Sequence, residues 1–352
     1  MNTQIKKIND ISKYELKRYF KHPVVIPTET VYGLAADIYN EEALKEIFRI
    51  KRRPCDNPLI VHVASIEMLM SVIDGEIPEI YKKLIDRFWP GPLTMIFKAR
   101  KSISPIITAG LSTVAVRMPS NKIALEIIKN LGVPLAAPSA NISGRPSTTT
   151  VNHVQEDFDG KVELIIDGGE CLFGLESTVI NCLEDKNLLL RPGSITVEDL
   201  EPYVSLEVQT RVLKDGVAGS PGMKYKHYSP THPLILFKGK EADFEDYILN
   251  ELEKRKGVFG CIVAADYFWN KLKEVMINSG NPIDSTKRVI LLDFPTEKEK
   301  FAFSLFSAIR ELDKYCKYIF VLSVDDERVG MAISDRLEKA ADEIIYKMED
   351  NQ

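Results

Sequence analysis

No stretch of this 352-residue chain approaches 18 consecutive apolar residues, so no membrane-crossing helix is expected. The opening MNTQIKKINDISKYELKRYF lacks the apolar core of a signal peptide. Cysteine is sparse: Cys55, Cys171, Cys182, Cys261 and Cys316 are odd in number, widely spaced and contain no CxxC pair. A disulfide framework and a zinc site are thereby disfavoured, and reduced thiols in a cytoplasmic protein are expected. Excess positive charge is missing as well. Residues 1–211 carry 25 Lys+Arg against 27 Asp+Glu, a net of −2, and the remainder carries 21 against 24, a net of −3. Neither part is a basic domain of the kind that electrostatic nucleic-acid binding requires. There is no GxxxxGK[ST], GxSxG, HExxH or GxGxxG, so P-loop, hydrolase-elbow, zincin and dinucleotide-fingerprint chemistry are unsupported. What remains is ordinary globular composition, 45% apolar and 28% charged, at a length that fits two domains.

The patterning divides the chain. Up to residue 210 short apolar runs alternate irregularly with helical patterns, which predicts a mixed α+β domain. Strands are expected at 23–27, 59–63, 94–97, 113–117, 135–137, 164–167, 177–181 and 188–191. Helices are expected at 41–50 with Asn40 as cap, at 78–88 and at 121–131. Around residues 211–232 the segment LKDGVAGSPGMKYKHYSPTHP is rich in Gly, Pro and Ser and predicts a linker. From 233 to 352 the rhythm is regular. Strand-like runs at 234–237, 258–264, 289–292 and 318–321 alternate with helical patterns at 241–255, 266–277, 298–316 and 329–347. That predicts a small parallel α/β domain.

Several polar constellations sit at predicted strand ends. Pro27-Thr28-Glu29-Thr30-Val31-Tyr32-Gly33 places two hydroxyls and a carboxylate on a loop, which serves a capped turn or a pocket for a small zwitterion. Arg49-Ile50-Lys51-Arg52-Arg53-Pro54 closes a helix with four cations. Offsetting the helix dipole explains some of them. Pro54 disfavours helix at Arg53, so Lys51 and Arg53 can also converge on a polyanion such as a triphosphate. His62 lies near the end of an apolar strand, where a satisfied core histidine is the commoner case. Arg117 ends another strand and suits a carboxylate, as well as an ordinary ion pair. Pro138-Ser139-Ala140-Asn141-Ile142-Ser143-Gly144-Arg145-Pro146-Ser147 is a small-residue loop whose N–H groups and hydroxyls can surround an anion. Glu176-Ser177-Thr178-Val179 and Arg191-Pro192-Gly193 repeat polar groups at strand edges.

Taken together, PTETVYGL at 27–34, KRRPCDNPLIVH at 51–62, PGPLT at 90–94, VAVRMP at 114–119, PSANISGRPS at 138–147, ESTVI at 176–180 and RPG at 191–193 are specific. In order and spacing the chain resembles the Sua5/YrdC threonylcarbamoyl-AMP synthases. SPGMKYKHYSP at 220–230 and the added α/β domain resemble the long Sua5 form. Mild departures occur at Ala35-Ala36 and at Asp335, neither at an expected ligand.

The resemblance implies a twisted mixed sheet with an open cleft, followed by a Rossmann-like C-terminal domain. It implies synthesis of L-threonylcarbamoyl-AMP and pyrophosphate from L-threonine, bicarbonate or CO2, and ATP. The product would serve the threonylcarbamoyl modification at position 37 of tRNAs reading ANN codons, through a downstream tRNA threonylcarbamoyl-transferase protein. Direct tRNA binding is not expected. The threonine-contacting positions implied are Thr30, His62, Arg117, Ala137 and Ser177. The ATP-contacting positions are Lys51, Arg53, Asn57, Thr113, Ser139, Asn141, Ser147, Arg191, His227 and Tyr228, with Lys51 and Arg53 as the catalytic cations. Magnesium is expected to travel with ATP, without ligands from the protein. The linker segment 220–230 is expected to close as a lid, hinged at Gly219 and Gly222 and carrying Lys224, Tyr225, Lys226, His227 and Tyr228. Two alternatives are an RNA- or ribosome-binding protein and a carbamoyl-adenylating enzyme of the hydrogenase-maturation type. The first sits poorly with the acidic balance. The second usually brings acylphosphatase-like and Cys-rich zinc segments, which the sequence lacks.

Overall fold

The computed structural model describes residues 2–209, 226–264, 271, 276–277, 289–294 and 297–347. Two compact units emerge: Met1–Ser143 with Ser147–Tyr225, and Gly144–Pro146 with Lys226–Gln352. Residues 211–225 of the expected linker, including Gly219, Gly222, Lys224 and Tyr225, lie outside the described residues.

The first unit is built on one mixed sheet. Its strands are β1 Gln4–Lys7, β2 Val24–Ile26, β3 Gly33–Asp37, β4 Ile60–His62, β5 Leu93–Lys98, β6 Thr113–Arg117, β7 Leu135–Ala136, β8 Leu164–Asp167, β9 Thr178–Asn181, β10 Leu188–Arg191 and β11 Glu207–Val208. Their order across the sheet is β1-β8-β2-β3-β7-β4-β6-β5-β9-β10-β11. Parallel and antiparallel neighbours are interleaved: β4 runs parallel to β6, and β5 runs antiparallel to β6 but parallel to β9. The central strands are buried on both faces, which explains why VVI and VAV read as continuous apolar runs without alternation. Helices cover them. Glu41–Lys51 begins where the Asn40 side chain accepts from Ala43 N, as expected, and ends at Arg52 in the left-handed region with φ 52°. Lys122–Leu131 starts on Asn121, whose carboxamide accepts from Ile123 N and Ala124 N, and stops at Gly132 with φ 75°. Its apolar face joins Leu16, Tyr19, Val24, Leu164 and Ile166 in one core.

The second unit contains β12 Leu234–Lys238, β13 Phe259–Ala264, β14 Met276–Ile277, β15 Val289–Phe294, β16 Tyr318–Leu322 and β17 Glu343–Tyr346, all paired in parallel, in the order β14-β15-β13-β16-β12-β17. The α/β class and the parallel C-terminal sheet agree with the sequence. Two helix boundaries do not. The pattern over 329–347 predicts one helix, but the helix stops at Ala340 and Glu343-Ile344-Ile345-Tyr346 forms β17 beside β12. Two consecutive β-branched residues favour a strand, and Asp342 fixes the turn by accepting from Leu234 N. Met276–Ile277, expected at the end of a helix, is a strand; most of that predicted helix lies outside the described residues.

Candidate active site

Register brings two of the expected residues, with Thr94 beside them, onto one face. His62 on β4 stands opposite Arg117 on β6, and Arg117 stands opposite Thr94 on β5. Residues opposite each other on neighbouring strands point the same way, so His62, Arg117 and Thr94 form a polar row in an apolar sheet. The loop after β2 delivers Glu29 and Thr30 to this row. Arg117 Nη1 donates to Thr30 Oγ1 at 2.8 Å, and Arg117 Nη2 lies 2.5 Å from Glu29 Oε1.

The threonine hydroxyls have a fixed sense. Thr28 Oγ1 gives its proton to Val31 O at 2.6 Å, so in its 2.9 Å contact with Thr30 Oγ1 it is Thr30 that donates. Thr30 has therefore spent its proton and accepts from Arg117. Its remaining lone pair suits a ligand N–H or O–H.

Burial sets the charges. His62 is 3% exposed and its Nδ1 has no hydrogen-bond partner. Burial, reinforced by the nearby Arg117 charge, pushes its pKa down to about 3, so the ring is a neutral imidazole at ordinary pH. For Glu29 burial acts upward, but the Arg117 charge and hydrogen bonds outweigh it and hold the carboxyl below its usual range. Ala137 adds main chain: its N–H donates to Ile60 O at 3.0 Å.

A second cluster is organised by Lys51. Its Nζ donates to Ser139 O and Asn141 O, both at 2.5 Å, and Ser143 N donates to Lys51 O at 2.9 Å. Ser139 Oγ donates to Asn141 Oδ1 at 2.5 Å, while Ile142 N is held by Asp157 Oδ2 at 3.1 Å. The loop 138–148 is also laced to the β2–β3 loop: Ala140 N donates to Tyr32 O, and Tyr32 N to Thr148 O. Ser147 Oγ donates to the buried Glu176.

Beyond Thr94 the polar chain continues. Thr94 Oγ1 and Ser177 Oγ are 2.7 Å apart, and Arg191 donates from Nη2 to Ser177 Oγ and from Nε to Ser177 O, each at 3.0 Å. Gly193 is needed here, since a Cβ would stand 2.4 Å from Thr178 N. Ser177→Ala should lower unfolding free energy by about 1–2 kcal/mol, because it strips a partner from buried Thr94 and Arg191. Urea titration measures it. Unchanged stability would mean that the triad contributes nothing.

Other expected residues are placed differently. Arg53 donates from Nε to Asn57 O at 3.3 Å and from Nη2 to Pro58 O at 2.9 Å, bracing its own loop. Lys51 and Arg53 thus both hold main-chain carbonyls, where the sequence suggested two side chains converging on a polyanion. Asn57 is buried with Oδ1 unpartnered. Thr113 opens β6, at the opposite end of that strand from Arg117. His227 and Tyr228 belong to the second unit, where Tyr228 stacks on Phe306 with ring centroids 5.3 Å apart. The sequence offered Glu29 only as a loop carboxylate for a capped turn or a zwitterion pocket, and singled out no role for Thr94, Asp157 or Glu176. The first, second and fourth lie inside the quoted motifs, which was the available signal. Asp157, on the helix Val151–Phe158, carried none.

Comparison with known proteins gives a consistent result. A family model described as telomere recombination matches residues 21–193. A second, described as threonylcarbamoyl-AMP synthase, C-terminal domain, matches residues 195–342. The chain is 42% identical over 329 residues to the threonylcarbamoyl-AMP synthase of Pyrococcus abyssi, covering 92% of each. It is 41% identical over 322 residues to that of Bacillus subtilis, covering 90% of this chain and 89% of the relative. The crystal structure of P. abyssi Sua5 complexed with L-threonine superposes with a TM-score of 0.86 at 37% identity, over 98% of this chain and 100% of that one.

Proposed function

The chain belongs to the Sua5 family of threonylcarbamoyl-AMP synthases, and on that premise we propose that it joins L-threonine, bicarbonate or CO2, and ATP into L-threonylcarbamoyl-AMP, releasing pyrophosphate. The observation that carries this reading is the buried polar row of His62 and Arg117 on one sheet face with Thr30 bonded to it from the β2–β3 loop, in a chain similar over its length to a threonine-bound Sua5.

The residues supply positions and charges. Arg117 faces the carboxylate of threonine, and Thr30 accepts from the substrate's N–H or O–H. Neutral His62 pairs with an uncharged polar group, while Ala137 and Ser177 complete the amino-acid side. The threonine amine becomes a carbamate; a carbamate oxygen then attacks the α-phosphorus of ATP, and the bond to the bridging oxygen of pyrophosphate breaks. The proposed chemistry uses no protein nucleophile. Burial pushes the thiols of Cys171 and Cys261 above the ordinary range, which leaves these two poor nucleophiles.

On the nucleotide side, Asn57, Thr113, Ser139, Asn141, Ser147 and Arg191 are the proposed contacts, with Lys51 and Arg53 shaping the loops that carry them. Rate enhancement then comes from positioning and electrostatic preorganisation. Magnesium is proposed to arrive on the triphosphate, where it would offset phosphate charge. Among the described residues no group of three or more His, Cys, Asp or Glu is placed to hold a metal. We further assign catalysis to residues 1–210, the linker to 211–232 and an accessory domain to 233–352. The product is proposed to pass to a tRNA threonylcarbamoyl-transferase. No helix among the described residues is long and apolar enough to cross a membrane.

Pyrophosphate release is expected only when ATP, magnesium, threonine and bicarbonate are all present, with L-threonylcarbamoyl-AMP detected by mass spectrometry. Valine, isosteric but lacking the hydroxyl, should support much slower turnover, because it leaves buried polar groups unpaired. Equal rates with valine would reject the assigned amino-acid site.

A further inference from the structure

Arg117 is held by three chain segments. Its Nε donates to Gly91 O at 3.3 Å, its Nη1 to Thr30 Oγ1 at 2.8 Å, and its Nη2 lies 2.5 Å from Glu29 Oε1. Glu29 is itself anchored at both ends. Asn121 N donates to its Oε2 at 3.3 Å, and its main-chain oxygen accepts from Phe173 N at 2.9 Å. Both side chains of the pair are 4% exposed. The 2.5 Å contact engages one N–H of Arg117 Nη2 with Glu29 Oε1, and Nη2 meets no other acceptor, so its second N–H is left for a ligand.

A buried guanidinium without a counter-charge pays a large desolvation cost and turns toward whatever acceptor it can reach. One clamped by fixed acceptors needs no reorganisation when a ligand arrives. Of the three acceptors here, Gly91 O and Thr30 Oγ1 are neutral, and Glu29 alone compensates the charge.

We propose that Glu29 is a positioning residue for amino-acid recognition: by orienting and compensating Arg117, it presents the remaining N–H edge of that guanidinium to the substrate carboxylate. This rests on the reading that the polar row receives threonine. Glu29 does not touch the substrate. It acts through Arg117, and the net-neutral pair matches an amino acid that arrives as a zwitterion. Glutamine at this position would keep the shape and lose the compensating charge.

The test is a cycle of E29Q, R117M and the double variant, with L-threonine and ATP affinities measured by calorimetry. Ligand-observed NMR at millimolar threonine serves where binding is weak. E29Q should weaken threonine binding by about tenfold or more while ATP affinity stays within about twofold. E29D, which keeps the charge on a shorter arm, should recover part of the loss. In the R117M background E29Q should change threonine affinity by less than about twofold, since the group it acts through is gone. The double variant also removes both buried charges, so its ATP affinity reports that the fold is intact. Three results overturn the inference: threonine affinity unchanged in E29Q, equal losses for both ligands, or the same step in the R117M background. Wild-type protein that binds ATP but not threonine would overturn the proposed function and this inference with it.

Discussion

Lys51→Met is expected to lower unfolding free energy by about 2–4 kcal/mol and kcat/KM by about 100-fold. Lys51 is 1% exposed, in the last turn of the helix Glu41–Lys51, and its ammonium ties Ser139 O and Asn141 O to that helix. Methionine fills most of the same volume but supplies no donor. Two main-chain carbonyls then lose a charge-assisted partner, and the loop 138–148 loses the bond that sets its distance from the helix. A shift of about 1 Å in a loop that positions reacting groups is enough for a hundredfold loss in rate.

The pH dependence carries a second signature of Lys51. Burial, and then the neighbouring Arg53 charge, pull its pKa well below the usual lysine value. Between that lowered value and the unfolded value of 10.5, the unfolded chain keeps a proton that the native protein releases. Wild-type stability should therefore rise with pH there relative to K51M. Denaturant titrations across this range, together with pyrophosphate-release assays, give both numbers. Full stability with only ATP affinity lost would show that Lys51 is a phosphate ligand and not the clamp of its loop.

His62 should impose an acid limit on stability. Its ring is buried beside Arg117 and its pKa falls from 6.5 to about 3. Between those two values the unfolded chain binds a proton that the native protein refuses. Stability from this group is whole above pH 6.5 and is lost as pH falls toward about 3, at up to about 1.4 kcal/mol per pH unit. Glu29 titrates in the same direction but lower: with its native pKa depressed below 4.5, its contribution is complete above 4.5 and is lost as pH falls through the native value. The interval from 4.5 to 6.5 therefore separates the two. His62→Gln should flatten the stability profile in that interval. Its effect is read as the difference between wild-type and variant urea midpoints at matched pH. Parallel profiles would mean that the imidazole is protonated in the native protein, and its role as a neutral partner for threonine would fail.

The extent to which the site was legible in the sequence varied with the kind of interaction. Thr30, His62, Arg117 and Ser177 could be singled out because a polar residue at the end of an apolar strand is conspicuous in one dimension. Their convergence could not, because it depends on β4 pairing with β6 and β5 with β6, contacts between residues 15 to 55 positions apart. Charge compensation was hidden for the same reason. Arg117 is read as a carboxylate receptor from its own neighbourhood, whereas its counter-charge, Glu29, lies 88 positions earlier. The paired cations show the limit most clearly. Lys51 and Arg53 look alike in sequence, yet the left-handed turn at Arg52 sends one into the protein against Ser139 and Asn141 and the other back along its own loop to Asn57 and Pro58.

By itself the sequence determined the local elements: which apolar runs are strands, where Asn40 and Asn121 start helices, that the C-terminal part is a regular parallel α/β domain, and which motifs carry polar groups. These depend on residues a few positions apart, where propensity, capping and periodicity act. Tertiary structure alone decided the strand order of the mixed sheet and the conversion of 343–346 from the end of an apparent helix into β17. It likewise decided which carbonyls Lys51 holds and which carboxylate faces Arg117. Each of these is fixed by burial, which removes water as a partner and forces every charge and donor to find one elsewhere in the chain, at a sequence distance that local pattern does not encode.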